Sequence, residues 1–274
     1  MCDLHGCGTQ TPLPPIKLDS TQRRLFLQGL ACLPLATVLA YPELAKAAAA
    51  QVEEVSTNLE MDTKVKASLA LPAAEKAPTV ILIHEWWGLN DQIKAVAAEL
   101  ANLGYLALAV DLYGGKVAST PDEAKALMSD LDPEIAKETM VKWVDYLRKH
   151  ERGNGKVASL GWCFGGGWSL NTSIATPIDA TIIYYGNVNK TANDLKTLKG
   201  PVLGQFAKLD KSINSAMVGG FEQEMDKAGK KDLLTVYWYE ADHAFANPTG
   251  ARYDEANAKL AWERTLEFLK KNLS

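Results

Sequence analysis

The 274-residue sequence sets 29 lysines and arginines against 33 aspartates and glutamates, a formal charge of −4. With no basic run outside the first 50 residues, that balance excludes a polyanion-binding protein, and no nucleic-acid partner is expected. Beyond the first 50 residues no stretch is long and apolar enough to span a bilayer.

The chain opens on a segment that reads as a leader rather than as part of a fold. Arg23 and Arg24 stand directly before Leu25, Phe26 and Leu27, and the apolar stretch they begin runs to about Tyr41. Ala45, Lys46 and Ala47 supply small residues suited to signal-peptidase cleavage. Together these predict a twin-arginine export signal over residues 1–47, with the export machinery and signal peptidase as transit partners. A periplasmic or otherwise exported mature chain, 48–274, is the expectation. PLATVLA is broken by Pro42 and Glu43 too soon to make a membrane anchor of ~20 residues. Gly29 stands where lipoprotein processing at Cys32 would need a bulky aliphatic residue. CDLHGCG, residues 2–8, has metal-ligand types but no second ligand cluster. Removing the leader takes Cys2, Cys7 and Cys32 with it, so Cys163 becomes the single thiol and cannot form an internal disulfide.

Residues 48–274 suffice for one domain and are short for two. Short apolar runs at 79–84, 105–110, 156–161, 180–186, 201–207 and 234–240 read as strands, several of them buried on both faces. Between them lie helical patterns. NDQIKAVAAELANLG places Ile93, Val96, Ala97, Leu100 and Leu103 on one face and ends at Gly104, a C′ glycine. PEIAKETMVKWVDYLRKH starts on a proline and closes on basic residues. SAMVGGFEQEMDKAG and the closing ANAKLAWERTLEFLKKNL complete the set. Strand alternating with helix predicts an α/β fold with a mostly parallel central sheet and helices on both faces. Residues 112–132 should form a loop with a short helix near the carboxyl ends of the strands, where such folds bind ligands.

One stretch carries chemistry. GWCFGGGWS, 161–169, has the G-x-S-x-G frame of a strand-to-helix nucleophile turn with Cys163 in place of serine. Such a turn needs small neighbours, here Gly161 and Gly165, and sets its central side chain at a helix N-terminus that favours a thiolate. Taken alone, the motif fits a packing cysteine in a glycine-rich turn equally well. Chain order adds weight. Asp210 follows one later strand and His243 follows the last, so all three fall on the carboxyl side of the sheet. His243 would act as general base and acid, oriented by Asp210. Asp210 also suits an N-cap in LDKSIN, and His243 could be a loop histidine without a role. Among the rivals, His150 ends a charged helix, His84 lies in an early loop, and Asp242 is too close in sequence to His243 to orient its ring. ILIHEWWGLN, 81–90, sits where this fold donates an oxyanion N–H. A carboxylate at Glu85 among tryptophans should have a raised pKa and could exchange a proton with a thiol.

IHEWWGLN, VDLYGG, GWCFGGG, KLDKSIN and YEADHAFAN, in this order, resemble the dienelactone hydrolase family over about Val65 to the C-terminus. The resemblance implies an α/β-hydrolase fold and a Cys-Asp-His triad at Cys163, Asp210 and His243. It also implies an early glutamate at Glu85 that pairs with the resting thiol, and oxyanion N–H groups at Trp86 and Phe164. Founding members hold a substrate carboxylate with two arginines. This chain has Gly115 and Lys116 at the first position and Asn247 at the second, with Arg252 nearby in sequence. Lysine lacks the bidentate fork of arginine, so the implied hydrolase chemistry carries over further than the implied substrate. Trp87, Tyr113, Lys116, Phe245 and Asn247 are the expected substrate contacts, with core packing an equal alternative for any of the aromatic residues Trp86, Trp87, Phe164 and Phe245. The expectation is a monomeric hydrolase of a small-molecule lactone or ester, with no metal or organic cofactor. The rivals are a non-catalytic binding module on the same scaffold and a redox-sensing thiol, the latter weakened by the lack of a resolving cysteine.

Overall fold

The computed structural model describes residues 18–29, 33–60 and 62–274, and Cys2, Cys7 and Cys32 lie outside them. Its strands are β1 (Glu53–Asn58), β2 (Lys64–Ala70), β3 (Ala77–Ile83), β4 (Leu106–Val110), β5 (Gly153–Trp162), β6 (Ala180–Tyr184), β7 (Val202–Ala207) and β8 (Leu234–Tyr239). They form one sheet in the order β1-β2-β4-β3-β5-β6-β7-β8, antiparallel through β1 and β2 and parallel from β4 to β8. The helices are α1 (Ser20–Leu27), α2 (Leu35–Ala40), α3 (Pro42–Ala49), α4 (Asp91–Asn102), α5 (Pro121–Asp130), α6 (Pro133–Lys149), α7 (Phe164–Ala175), α8 (Ala192–Leu195), α9 (Ser215–Lys227) and α10 (Glu255–Leu273).

The six apolar runs became β3 to β8, for the reason that made them legible. Their side chains alternate between two cores. Val80 and Leu82 face a cluster shared with α3, α4 and α10, while Ile81 and Ile83 face Met140, Trp143 and Leu147 of α6. Burial on both faces leaves no polar stripe. Helix ends follow their caps: Asn90 accepts from the Ile93 N–H at the start of α4, and Gly104, at φ 91°, turns the chain out of it. Residues 121–130 form the short helix expected in the loop region.

Two regions differ from the expectation. The pair β1 and β2 was not anticipated, because EEVSTN is polar and largely exposed at the sheet edge, where charges suit an unpaired strand. The N-terminal segment, read above as a leader, packs against the body. Leu44, Ala45 and Ala48 of α3 and Val38 and Leu39 of α2 are buried in the same cluster as Val96 and Leu100 of α4. Arg23, one of the arginine pair, makes an ion pair with Glu43 at 3.0 Å. Among the described residues no helix is long and apolar enough to cross a membrane.

Candidate active site

The strand ends deliver the site. β5 runs to Trp162, α7 begins at Phe164, and Cys163 between them holds φ 53° and ψ −114°, a region that L residues rarely occupy. The turn is possible because its neighbours lack side chains. A Cβ on Gly161 would meet the Gly165 carbonyl oxygen at 2.0 Å, and one on Gly165 would meet that of Ile83 at 2.2 Å. The cysteine amide donates to the Tyr184 carbonyl at 3.0 Å, locking the turn onto β6. Two further non-glycine residues near it, Tyr185 at φ 36° and Ala244 at φ 63°, also have positive φ.

Cys163, Asp210 and His243 come together in a line. The His243 Nε2 lies 3.2 Å from the Cys163 Sγ, and its Nδ1 lies 2.5 Å from the Asp210 Oδ2. The two readings of Asp210 both hold, on separate oxygens. Its Oδ1 accepts from the Ser212 and Ile213 N–H groups at 2.8 and 2.9 Å, leaving Oδ2 for the histidine. The cap of α9 is instead Asn214. Burial pushes the Asp210 carboxyl upward, but His243 and the two N–H groups outweigh it and hold the pKa below the ordinary carboxylate value. Asp242 accepts from the backbone N–H of His243 at 2.7 Å and lies 3.8 Å from the guanidinium of Arg252. The ring of Tyr185 backs that of His243, with centroids 5.1 Å apart.

His84 has a different task. Its Nδ1 lies 2.5 Å from the Glu85 carbonyl and its Nε2 accepts from the Leu112 N–H at 3.3 Å. It joins the ends of β3 and β4. Burial drops its pKa to about 4, so it is neutral at pH 7. The ring stacks on Phe164 at 5.8 Å and leans on Tyr113 at 4.8 Å.

Glu85 is buried at the end of β3 and its Oε2 accepts from the Asn247 amide at 2.7 Å. Asn247 itself accepts from the backbone and hydroxyl of Thr249 at 3.0 and 2.9 Å. The residue standing where an arginine was expected thus holds the glutamate. Trp86 lies in the loop after β3, and Phe164 is the first residue of α7, directly after Cys163. The remaining expected contacts separate. Tyr113 is buried against His84 and Phe164, and burial, with the charge of Cys163 second, raises its phenol pKa. Trp87 is half-buried, edge-on to Trp86. Lys116 is exposed. Phe245 is fully buried between Tyr185 and Tyr239 and supports the histidine loop from behind, so its ring is spent on packing.

Sequence reasoning missed a cavity of about 260 Å³ beside Glu85 and Asn247, bounded by Ile93, Val96, Trp162, Tyr185, Ala258 and Trp262. Tyr185 is the last residue before Gly186 in the run ATIIYYG, and that position after a strand was the one available signal.

These features have counterparts in known proteins. A model of the dienelactone hydrolase family matches residues 65–273. A putative carboxymethylenebutenolidase of Saccharolobus solfataricus is 34% identical over 247 residues, covering 76% of this chain and 94% of that one. The carboxymethylenebutenolidase of Pseudomonas putida is 28% identical over 72% of this chain and 87% of its own. A crystal structure of a putative dienelactone hydrolase from Klebsiella pneumoniae superposes with a TM-score of 0.69 at 25% identity, over 80% of this chain and 99% of that one. The fold, the family match and these relatives agree: the chain belongs to the dienelactone hydrolase family and is a carboxylic ester hydrolase on an α/β-hydrolase fold.

Proposed function

We propose that the protein cleaves a lactone or ester through a thioester on Cys163. The observation that carries this reading is the line from the Cys163 sulfur through the His243 ring to the Asp210 carboxylate. His243 takes the thiol proton as the sulfur attacks the carbonyl carbon, and the oxyanion receives the N–H groups of Trp86 and Phe164. Collapse expels the alkoxide, which His243 protonates. Water then adds to the thioester with His243 as base, and the acid leaves with the thiol restored. Glu85, held by Asn247, is read as the carboxylate that assists activation of the thiol. With Asn247 and exposed Lys116 where two arginines would stand, the substrate is read as uncharged.

The test is an acyl-enzyme. Mixing the protein with an activated ester or unsaturated lactone and quenching in acid should leave an acyl mass on the peptide carrying Cys163. Turnover by Cys163→Ala should fall on the order of 10⁴-fold. Full activity in that variant would sink the thiol mechanism.

The leader reading is likewise a proposal, supported by the Arg23–Arg24 pair and the apolar stretch after it. Replacing both arginines with lysine should retain the protein in the cytoplasm. Unchanged fractionation would remove the export reading.

A further inference from the structure

The cavity beside Glu85 has two walls of different origin. One comes from the catalytic body: Ile93 and Val96 of α4, Trp162 of β5, Tyr185 after β6, and Ala258 and Trp262 of α10. The other is Pro34, Leu35, Ala36 and Leu39, the start and end of α2. That second wall lies outside residues 65–273, the part matched by the family.

The N-terminal wall is tied to the site itself. The Gln92 side-chain amide donates to the Leu39 carbonyl and to the Thr249 hydroxyl, each at 3.1 Å. Thr249 donates to Asn247 at 2.9 Å, and Asn247 donates to Glu85 at 2.7 Å. A continuous set of hydrogen bonds therefore runs from the backbone of α2 to Glu85.

The lining chemistry selects the ligand. Apart from Glu85, its ionisable carboxyl and amine groups are Glu255 and Lys259, both exposed at the rim. An anionic ligand would meet two carboxylates against one ammonium, whereas the remaining surface is largely aliphatic and aromatic. About 260 Å³ is room for roughly eight or nine water-sized groups at ~30 Å³ each.

We propose that this cavity binds the apolar portion of a neutral ester or lactone, a medium-length alkyl or aryl group, and that residues 34–39 form one of its walls in the full chain. The proposal rests on the cysteine-hydrolase reading for its chemistry, since Tyr185 joins the cavity to the ring of His243. Cleavage near Ala47 would turn the cavity into an open groove and enlarge the group it admits.

The full chain is assayed with p-nitrophenyl acetate and p-nitrophenyl hexanoate, wild type against Ala36→Phe and Ala258→Phe, which enter the cavity from opposite walls. Each variant should lower the hexanoate-to-acetate ratio of kcat/KM at least tenfold, chiefly through the KM for hexanoate. An unchanged ratio in both overturns the pocket, and an unchanged ratio in Ala36→Phe alone overturns the N-terminal wall. A second measurement needs no turnover. Full-length Cys163→Ala is titrated with 2-octanone, a neutral methyl ketone, following tryptophan fluorescence. Saturable quenching that Ala258→Phe weakens tenfold supports the pocket, and no quenching overturns it. Were the wild type to release no nitrophenol while the ketone still bound in this way, the pocket would stand and the cysteine-hydrolase reading would fall.

Discussion

The strand-end wall of the site and the N-terminal wall of the neighbouring cavity are built on different physics. The strand-end wall, carrying Cys163, Asp210 and His243, is fixed by backbone: parallel register, a turn closed on two glycines, and hydrogen bonds to Asp210 from the chain itself. The N-terminal wall is held by apolar side chains and by a carbonyl bond to Gln92. The first kind positions atoms to within a fraction of an ångström, as chemistry requires. The second is a packed side-chain surface, the kind of contact that opens locally at lower cost than a strand end.

Perturbing each wall should therefore read out differently. The largest effect belongs to the relay. Asp210→Asn keeps the shape but removes the charge that orients His243, and kcat should drop about 10³-fold with little change in melting temperature. A drop below tenfold would mean that the carboxylate only caps its turn. Next comes His84, whose folded pKa of about 4 lies below the ordinary 6.5. A depressed pKa stabilises the fold above pH 6.5, and that contribution is lost as pH falls toward 4. The full shift is worth about 3 kcal/mol at ~1.4 kcal/mol per pH unit. Denaturant titrations of the wild type and His84→Gln should show a shallower pH slope in the variant over that window. Equal slopes would assign the acid sensitivity elsewhere. The smallest effect belongs to the N-terminal wall. Leu44→Ala removes a fully buried side chain, yet the loss should stop at about 1–2 kcal/mol, because the segment can undock locally. Hydrogen exchange should then speed up in α3 and hold steady in β5. Global destabilisation of 4 kcal/mol or more would make the segment part of the core and erase the distinction between the walls.

What could be read from the sequence follows the same division. Strands buried on both faces advertise themselves by composition, and Cys163 and Asp210 advertise themselves by falling just past such strands, while His243 follows β8, an apolar but half-buried edge strand. β1 and β2 could not, since one exposed face at a sheet edge erases the apolar run. Contacts across long separations were equally silent. Nothing in the sequence shows Asn247 donating to Glu85, 162 positions away, or Gln92 reaching Leu39. Phe245 reads in the sequence as either a pocket aromatic or a core residue, and loop direction, which sequence does not encode simply, turns it inward. The second half of the leader was legible as an apolar signal, and the same apolar side chains cover the body in the full chain.

The backbone of Cys163 has an evolutionary consequence. At φ 53° and ψ −114° a side chain costs about 1–3 kcal/mol, which glycine would recover. Cys163→Gly should therefore melt above Cys163→Ala, although both lack the thiol. At this position the backbone and the proposed thiol chemistry pull in opposite directions. If Cys163 is the nucleophile proposed above, selection for thermal endurance alone would favour losing the thiol, a trade of reactivity for stability.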